Sequence, residues 1–224
     1  MSGFVVWGAG GRAGRRAVAE ARARGHEVTA VVRDPAAHAD AFADDAPGDG
    51  GGRAGSVRLV AGDATDAARV AELTAGADVV ISAAAVYGPG TDPDAFFTAS
   101  SRALLAGVRA GGVRRLLVVG LASLLPGPEG RPLLETMGLP QEFMPFVLAH
   151  RKGLDVLRQE GADVDWLYAS PAGDFDHDGV RTGRYGIAAH GDPADRISYQ
   201  DFAVALLDEA ERPRHRHTHL AVTG

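Results

Sequence analysis

Cysteine is absent from this 224-residue chain, and lysine occurs only once, as Lys152. The lack of cysteine excludes disulfide bonds, thiolate metal ligands and a cysteine nucleophile. Apolar runs are too short to cross a membrane, and the chain enters its first predicted strand without the layout of a signal peptide. The formal net charge is −6, and the arginines form no basic block, so no nucleic-acid partner is expected. We therefore expect a cytoplasmic protein that binds neither nucleic acid nor a membrane.

Short apolar runs alternate with helical patterns along almost the whole chain. The predicted strands cover residues 4–7, 27–32, 57–60, 78–81, 114–119, 164–168 and 218–222. The predicted helices cover residues 12–24, 66–75, 92–110, 146–160 and 198–210, and a further short helix ends near residue 42. This alternation is typical of β-α-β units and predicts an α/β fold with a doubly wound (Rossmann), mostly parallel sheet.

The length of the chain predicts one domain, residues 1–224, with a small C-terminal extension on the substrate side. Residues 44–56 contain a run of glycines, and we expect them to form a flexible surface loop. Two further segments, 124–145 and 172–196, are expected to be loops on the substrate side of the sheet.

The first predicted strand ends at a glycine-rich turn, and a helical pattern follows at once. Two registers fit: G-x-G-x-x-A from Gly8 to Ala13, and G-x-x-G-x-x-G with glycines at 8, 11 and 14. In either register, glycine allows the backbone to approach a diphosphate, which the N–H groups at the helix start can bind. A purely structural turn is the alternative. The predicted dinucleotide-binding residues in this turn are Gly8, Gly10, Gly11, Arg12, Ala13 and Gly14.

Arg33 and Asp34 follow the second predicted strand, where a Rossmann fold contacts the adenosine ribose. Arginine favours the 2′-phosphate of NADP, whereas a carboxylate favours the free hydroxyl of NAD. Because the arginine comes first and Arg12 adds positive charge in the turn, we expect NADP (as NADPH), with NAD as the less favoured cofactor. A solvated Arg–Asp pair without a ligand role is the other interpretation.

Several longer motifs occur in one order along the chain. They are Val32-Arg33-Asp34-Pro35, Gly62-Asp63-Ala64-Thr65-Asp66, Val80-Ile81-Ser82-Ala83, Val119-Gly120-Leu121-Ala122-Ser123-Leu124, Asp165-Trp166-Leu167-Tyr168-Ala169-Ser170-Pro171, Arg181-Thr182-Gly183-Arg184-Tyr185 and Ile197-Ser198-Tyr199-Gln200-Asp201-Phe202-Ala203. Together with the glycine turn they resemble the atypical short-chain dehydrogenases with an NmrA-like NAD(P)H-binding fold. Within that family, the chain is most similar to the group of NADH-flavin reductases related to biliverdin reductase B. The resemblance covers nearly the whole chain.

The resemblance implies further cofactor contacts at the carboxyl ends of the strands. Asp63 is expected to accept a hydrogen bond from the adenine amino group, although an aspartate after a strand is more often a turn former. Ser82, Ala83 and Ala84 are expected to line the ribose and nicotinamide side. Pro171 is expected to border the nicotinamide carboxamide.

The catalytic pattern departs from that of typical short-chain dehydrogenases, which use Tyr-x-x-x-Lys to donate a proton. Here Leu148 stands four residues before Lys152. The resemblance therefore points to Ser123, His150 and Lys152 as the residues that assist catalysis. In the alternative interpretation, the serine caps a turn, the histidine is a polar helix residue and the lysine is solvated.

No metal site is expected. His215, His217 and His219 would share one face of a strand, but no cysteine or carboxylate is spaced with them as a metal ligand.

The missing tyrosine and the resemblance together imply an NADPH-dependent reductase, an oxidoreductase that passes hydride to a small-molecule acceptor. A flat conjugated acceptor, such as a flavin or a quinone-like compound, needs little help with proton transfer because it delocalises the arriving charge. Two alternatives stay open. One is a non-catalytic NmrA-like regulator that senses NAD(P). The other is a biosynthetic carbonyl reductase or epimerase-type short-chain dehydrogenase, with Tyr87 or His150 as the proton donor. The oligomeric state is open.

Overall fold

The computed structural model describes residues 1–43 and 55–224. The predicted loop at 44–56 therefore lies outside the described residues, except for its last two. The strands are β1 (Gly3–Trp7), β2 (Glu27–Val32), β3 (Val57–Ala61), β4 (Val79–Ser82), β5 (Arg115–Val119), β6 (Trp166–Pro171), β7 (Asp174–Asp176), β8 (Gly186–Ala188), β9 (Arg196–Ser198) and β10 (Thr218–Thr223). The helices are α1 (Arg12–Ala23), α2 (Asp40–Ala43), α3 (Ala67–Thr74), α4 (Pro93–Gly111), α5 (Met144–Glu160) and α6 (Tyr199–Glu211).

The main sheet has the strand order β3-β2-β1-β4-β5-β6-β10-β8. Its strands pair in parallel, except that β8 runs antiparallel to β10 at one edge. The order reverses between β1 and β4, where Trp7 pairs with Ser82. In a doubly wound sheet, this reversal opens the crevice in which ligands bind. The predicted doubly wound, mostly parallel α/β fold is therefore confirmed.

Local sequence signals account for where most helices begin and end. The carboxylate of Asp66 accepts hydrogen bonds from the first N–H groups of α3, and Asp92 does the same for α4, which has proline at its first position. Gly112 ends α4 with a left-handed φ of 65°. Ser198 accepts a hydrogen bond from the Asp201 N–H at the start of α6. These are standard capping interactions, each of which satisfies a backbone group that the helix leaves unpaired.

Two apolar layers cover the sheet. On one face, α1 and α6 pack on a cluster that includes Leu167 and Phe202. On the other face, α3, α4 and α5 pack on a cluster that includes Trp7, Trp166 and Tyr168. Leu167 and Tyr168 are neighbours in β6 and point to opposite faces, as the two-residue period of a strand requires.

Arg115 joins several elements at the amino end of the sheet. It is 2% exposed, and its guanidinium pairs with Asp165 before β6 and with Glu209 of α6 at 3.1 Å. It also donates to the carbonyl oxygen of His215, before β10, at 2.7 Å. Removing one partner of such a buried pair typically costs about 3–5 kcal/mol, because the other charge stays buried.

Three short strands lie in the C-terminal part where the sequence predicted loops. β7 and β9 form a separate parallel pair, and β8 extends the main sheet. β7 and β8 fall within the predicted loop 172–196, so this segment is only partly irregular. Segment 124–145 contains single 3₁₀ turns at Leu133–Glu135 and Gln141–Phe143. Elsewhere the predicted bounds of strands and helices lie within three residues of the observed ones. The strand predicted at 27–32 has the same bounds in the structure, whereas the strand predicted at 164–168 spans Trp166–Pro171.

The approach of α1 to the turn after β1 depends on two glycines. Gly8 has a φ of +72°, and a Cβ there would lie 2.5 Å from the backbone nitrogen of Ala84. A Cβ at Gly14 would overlap the carbonyl oxygen of Gly8. A Cβ at Gly11 would come no closer than 3.4 Å to that oxygen, which is an ordinary contact. The close-packing role of the third glycine thus falls on Gly14, which favours the G-x-x-G-x-x-G register.

We expect Gly14→Ala to lower the free energy of unfolding by about 1–3 kcal/mol, because the new methyl group meets rigid backbone. Gly11→Ala is the matched control and should change stability by less than about 0.5 kcal/mol, since this position is exposed. Urea unfolding followed by circular dichroism measures both. Equal midpoints for the two variants would contradict the packing argument.

Candidate cofactor site

A cavity of about 550 Å³ opens at the carboxyl ends of β1, β2 and β4, where the strand order reverses. We refer to it as the glycine-turn cavity. Its volume falls in the usual range for small-molecule and cofactor sites. Among the residues that the structure describes, the following line the cavity: Trp7, Gly8, Gly10, Gly11, Arg12, Ala13, Val31, Val32, Arg33, His38, Gly62, Asp63, Ala64, Ala83, Ala84, Ala85, Val86, Phe96 and Tyr199.

The floor of this cavity is backbone of the glycine turn. The Gly11 N–H donates to the Gly8 carbonyl oxygen at 3.0 Å and closes the turn. At the start of α1, Gly11 provides no side-chain cap, and the first turn of the helix holds no acidic residue. The N–H groups at this helix end are therefore available to an anion, and the helix dipole favours negative charge there. These features fit the diphosphate of a dinucleotide.

The two charged residues after β2 have different surroundings. Arg33 is exposed and lines the cavity, whereas Asp34 is not part of the described lining. The Asp34 carboxylate instead accepts a hydrogen bond from the Ala36 N–H at 3.0 Å, within the turn that leads into the 3₁₀ helix Ala36–His38. The cavity thus has a guanidinium, rather than a carboxylate, beside the end of β2.

Asp63 lines the cavity after β3, and its carboxylate also shapes the local turn. Its Oδ1 accepts hydrogen bonds from the N–H and the hydroxyl of Thr65, both at 2.8 Å. The residue therefore has the turn-forming contacts that the sequence suggested as the alternative, and it lies where a contact with adenine was predicted.

A buried carboxylate holds together two segments in the C-terminal part of the chain. Asp201, 4% exposed, accepts hydrogen bonds from the N–H groups of Thr182 and Gly183 and from the Thr182 hydroxyl. This holds the segment before β8 against the start of α6. In the neighbouring segment, the His177 ring contacts the guanidinium of Arg12. Arg12, which lines the cavity, thus contacts the C-terminal part of the chain.

Most of the predicted cofactor residues come together in this cavity, and three of them, Gly14, Ser82 and Pro171, are not among its lining residues. Gly14 lies behind the turn, in contact with Gly8. Ser82 is buried at the end of β4, next to the lining residue Ala83. Pro171 ends β6, further along the sheet. The predicted residues that line the cavity are Gly8, Gly10, Gly11, Arg12, Ala13, Arg33, Asp63, Ala83 and Ala84.

The three predicted catalytic residues, Ser123, His150 and Lys152, are not among the residues that line the glycine-turn cavity. Ser123 is buried in the 3₁₀ turn Ala122–Leu124, which follows β5. Lys152 is exposed on α5, and its ammonium pairs with Asp94 at 2.6 Å. His150 is on the buried face of the same helix. The 3₁₀ turn that holds Ser123 contacts α5, which carries His150 and Lys152. A catalytic role for each of the three stays a prediction.

His150 has a specific buried partner. Its Nδ1 is hydrogen-bonded to the Tyr168 hydroxyl at 2.8 Å, and its ring lies 3.8 Å from the ring centroid of Phe97. Burial lowers the pKa of His150 to about 3 and raises the pKa of Tyr168. The imidazole is therefore neutral at physiological pH, which suits a hydrogen-bonded position in the core.

A second buried histidine lies on β10 beside the same tyrosine. The His219 ring packs edge-on against Tyr168 with centroids 4.9 Å apart, and its Nε2 is hydrogen-bonded to the Ser170 hydroxyl at 2.7 Å. Burial lowers the pKa of His219 to about 3. The residues described contain no group of three that could hold a metal, and His215 and His217 bond to Glu209 and to the Val164 carbonyl oxygen instead.

An aromatic cluster adjoins the cavity beyond β4. Tyr87 is 59% exposed and directly follows the lining run 83–86. Its ring meets those of Phe143 and Phe146 edge to face, at 5.6 and 5.2 Å. Phe97 connects Phe146 to the cavity-lining Phe96. The cavity therefore leads to a partly exposed, flat and apolar surface.

Several lining residues were missed by sequence reasoning. His38 lies in a single 3₁₀ turn, Phe96 faces the cavity from α4, and Tyr199 begins α6 far along the chain. No motif marks them, since each reaches the cavity through the packing of a different element. Phe96 has the only visible signal, because it adjoins Phe97 in a helix that begins soon after the predicted ribose-side residues.

Comparison with known proteins agrees with this site. A family model described as NAD(P)H-binding matches residues 8–213. The uncharacterized protein YwnB of Bacillus subtilis is 32% identical over 232 residues, which cover 98% of this chain and 97% of YwnB. A "putative NADH-flavin reductase" from Streptococcus pneumoniae is 32% identical, with a TM-score of 0.79 over 100% of this chain and 99% of that one.

A "putative exported protein" from Burkholderia pseudomallei is 34% identical, with a TM-score of 0.78 over the full length of both chains. Among the helices of residues 1–43 and 55–224, none is long and apolar enough to span a membrane. The cytoplasmic location expected above stays a prediction.

The pKa of about 3 for His150 predicts an acid-dependent loss of stability. An unfolded histidine titrates near 6.5, so below that pH the unfolded state takes up a proton that the folded state excludes until pH falls to about 3. His150→Gln removes this titration and keeps a group that can bond to Tyr168. Between pH 7 and pH 5.5 the variant should lose about 1 kcal/mol less stability than the wild type.

Urea unfolding at a series of pH values measures this difference. His190→Gln is the control, since His190 is exposed. This variant should show the same change of stability with pH as the wild type. Identical slopes for wild type and His150→Gln would show that His150 is not held neutral by burial.

Proposed function

We propose that this chain, which belongs to the NAD(P)H-binding family, is a reductase that passes hydride from NADPH to a flat conjugated acceptor. Family membership rests on the model match over residues 8–213, and the resemblance to atypical short-chain dehydrogenases is confirmed. The observation that carries the proposal is the glycine-turn cavity leading to the exposed aromatic ring of Tyr87.

The residues after β2 support NADPH rather than NADH. Arg33 lines the cavity, and Arg12 adds a second guanidinium at its edge. A guanidinium donates several hydrogen bonds in a geometry that suits a phosphate monoester. The Asp34 carboxylate, which would favour a free ribose hydroxyl, is bonded to the Ala36 N–H.

The aromatic cluster supports a flat acceptor. Offset or edge-to-face contact between conjugated rings contributes about 0.5–1.5 kcal/mol beyond burial. Tyr87, with Phe143 and Phe146 behind it, offers such a ring beside the cavity. The relative from Streptococcus pneumoniae, which is named as a "putative NADH-flavin reductase", points to a flavin as one acceptor of this class.

Bound NADPH supplies a hydride, and the acceptor takes up this hydride and one proton from solvent, so that NADP⁺ and the two-electron-reduced acceptor form. In this proposal, the N–H groups around Gly11 bind the diphosphate. Arg33 holds the adenosine side, and Asp63 contacts the adenine. Ser82, Ala83 and Ala84 border the ribose next to the nicotinamide, and Pro171 borders the carboxamide.

Segments 124–145 and 172–196 would enclose the acceptor. They already contact each other, because the Gly191 N–H donates to the Pro126 carbonyl oxygen at 2.8 Å, and Leu125 packs on Ala172. Of the predicted catalytic residues, we retain Ser123, which directly precedes segment 124–145. The bonds of His150 to Tyr168 and of Lys152 to Asp94 support positioning roles for those two.

The wild-type protein should oxidise NADPH in the presence of FMN or menadione, measured as loss of absorbance at 340 nm. Tyr87→Leu should raise KM for the acceptor about three- to tenfold, because the ring contact is lost, and leave KM for NADPH unchanged. Binding of NADPH without turnover of any acceptor would refute the reductase proposal and favour the sensing role. If Tyr87→Leu leaves the KM for the acceptor unchanged, the acceptor does not bind against Tyr87.

Arg33→Ala should weaken NADPH binding on the order of tenfold and leave NADH binding almost unchanged, since only NADPH has the 2′-phosphate. Isothermal titration calorimetry with both cofactors measures this preference. Arg58→Ala is the matched control, because Arg58 is an exposed arginine on β3 that bonds to Thr29. Equal weakening of both cofactors would contradict the assigned role of Arg33.

A further inference from the structure

His38 lies directly over the glycine turn. It ends the single 3₁₀ turn that follows β2, and its ring covers the Cα of Gly10. A Cβ at Gly10 would lie 2.5 Å from Cε1, 2.6 Å from Nε2 and 2.8 Å from Nδ1 of this ring. The nearly equal distances show that the imidazole lies broadly across Gly10 instead of touching it with one atom. Glycine at position 10 thus makes room for the His38 ring.

The nitrogen atoms of this ring are available to a ligand. Among the residues that the structure describes, no hydrogen bond or ion pair involves the His38 side chain. The ring is half-buried and lines the glycine-turn cavity together with Arg12 and Arg33. An imidazole always has at least one N–H donor, whichever tautomer is present.

The turn that carries His38 is held in place by its own hydrogen bonds. Asp34 accepts from the Ala36 N–H at 3.0 Å, and the Pro35 carbonyl oxygen accepts from the His38 N–H at 3.1 Å. Asp34 therefore acts on the position of His38, and this accounts for its place beside Arg33 without a contact to the ribose.

His38 lines the same cavity as the two parts of the chain that a dinucleotide would use. These are the turn at Gly10 and Gly11, on which its ring packs, and Arg33 at the end of β2. In a Rossmann fold, the diphosphate crosses the turn and the adenosine ribose lies at the end of the second strand. A donor that packs on Gly10 and is carried by the segment after β2 suits a phosphate on the ribose 2′ position.

From this geometry we propose that His38 is a specificity-determining residue, which donates a hydrogen bond to the 2′-phosphate of the adenosine ribose alongside Arg33. The proposal rests on the proposed function, because it requires NADPH to occupy the glycine-turn cavity. It explains why a cavity with exposed guanidiniums also has a histidine packed on its backbone. A phosphate monoester has three acceptor oxygens, more than a single guanidinium satisfies.

Calorimetric titration with 2′,5′-ADP and with 5′-ADP tests this role without any turnover. His38→Ala should weaken 2′,5′-ADP about tenfold and leave 5′-ADP unchanged, because only the first probe has the 2′-phosphate. His38→Gln, which keeps an N–H donor, should recover part of this loss. His190→Ala, at an exposed histidine outside the described lining, should bind both probes as the wild type does.

A second variant tests the same contact without removing the imidazole. Gly10→Ala places a methyl group where the ring lies and should displace it, so it should lower the preference for 2′,5′-ADP in the same direction. Equal weakening of both probes by His38→Ala would assign His38 to the diphosphate and overturn the proposal, as would no change for either probe.

The failure of the proposed function has a different signature. If the wild-type protein binds neither probe nor NADPH, the cavity is not a dinucleotide site, and the inference on His38 is wrong with it. If the wild type binds NADPH and His38→Ala binds it equally well, only the inference on His38 is refuted.

Discussion

The contact of Gly14 with the carbonyl oxygen of Gly8 is the constraint on which the rest of the site depends. It allows α1 to begin immediately after β1 and to lie close against the turn. The backbone that follows β4 also approaches Gly8, at Ala83 and Ala84. Three backbone segments therefore meet without side chains between them, and the floor of the cavity presents N–H groups. A methyl group at either glycine would separate these segments.

Two buried carboxylates hold the C-terminal region against the rest of the domain. Asp201 holds the segment that contains Thr182, and Glu20 of α1, 7% exposed, pairs with Arg181 at 2.9 Å. These bonds fasten the C-terminal region onto α1, so that His177 and Tyr199 reach the edge of the cavity. The cofactor site is thus assembled from both ends of the domain.

Strands and helices could be predicted from the sequence where apolar residues recur at a regular spacing or where a capping residue marks a helix end. Seven strands and the main helices were located because apolar runs and capping residues such as Asp66 and Asp92 mark them. β7, β8 and β9 were missed, because three residues are too few to show an alternation. Their position depends on long-range bonds, such as those of Asp201, that no local pattern reveals.

The residues of the candidate site also fall into those that the sequence predicts and those that only tertiary packing brings to the cavity. The glycine turn, Arg33 and Asp63 follow directly from strand ends, so their sequence positions were sufficient to predict their place in the cavity. His38 and Tyr199 reach it through tertiary packing alone. The partner of His150 was also not predictable, because strand alternation does not tell which face of the sheet Tyr168 occupies.

Arg115 ties β5, α6 and the approaches to β6 and β10 together at the amino end of the sheet, opposite the cavity. The buried ion pairs that hold these elements together therefore lie at the opposite end of the sheet from the cavity. Segments 124–145 and 172–196 contain none of the partners of Arg115, so their lengths and sequences can diverge while the sheet keeps its register. A sheet of this type can accordingly support reductases with different acceptors when only the loops at its carboxyl end change.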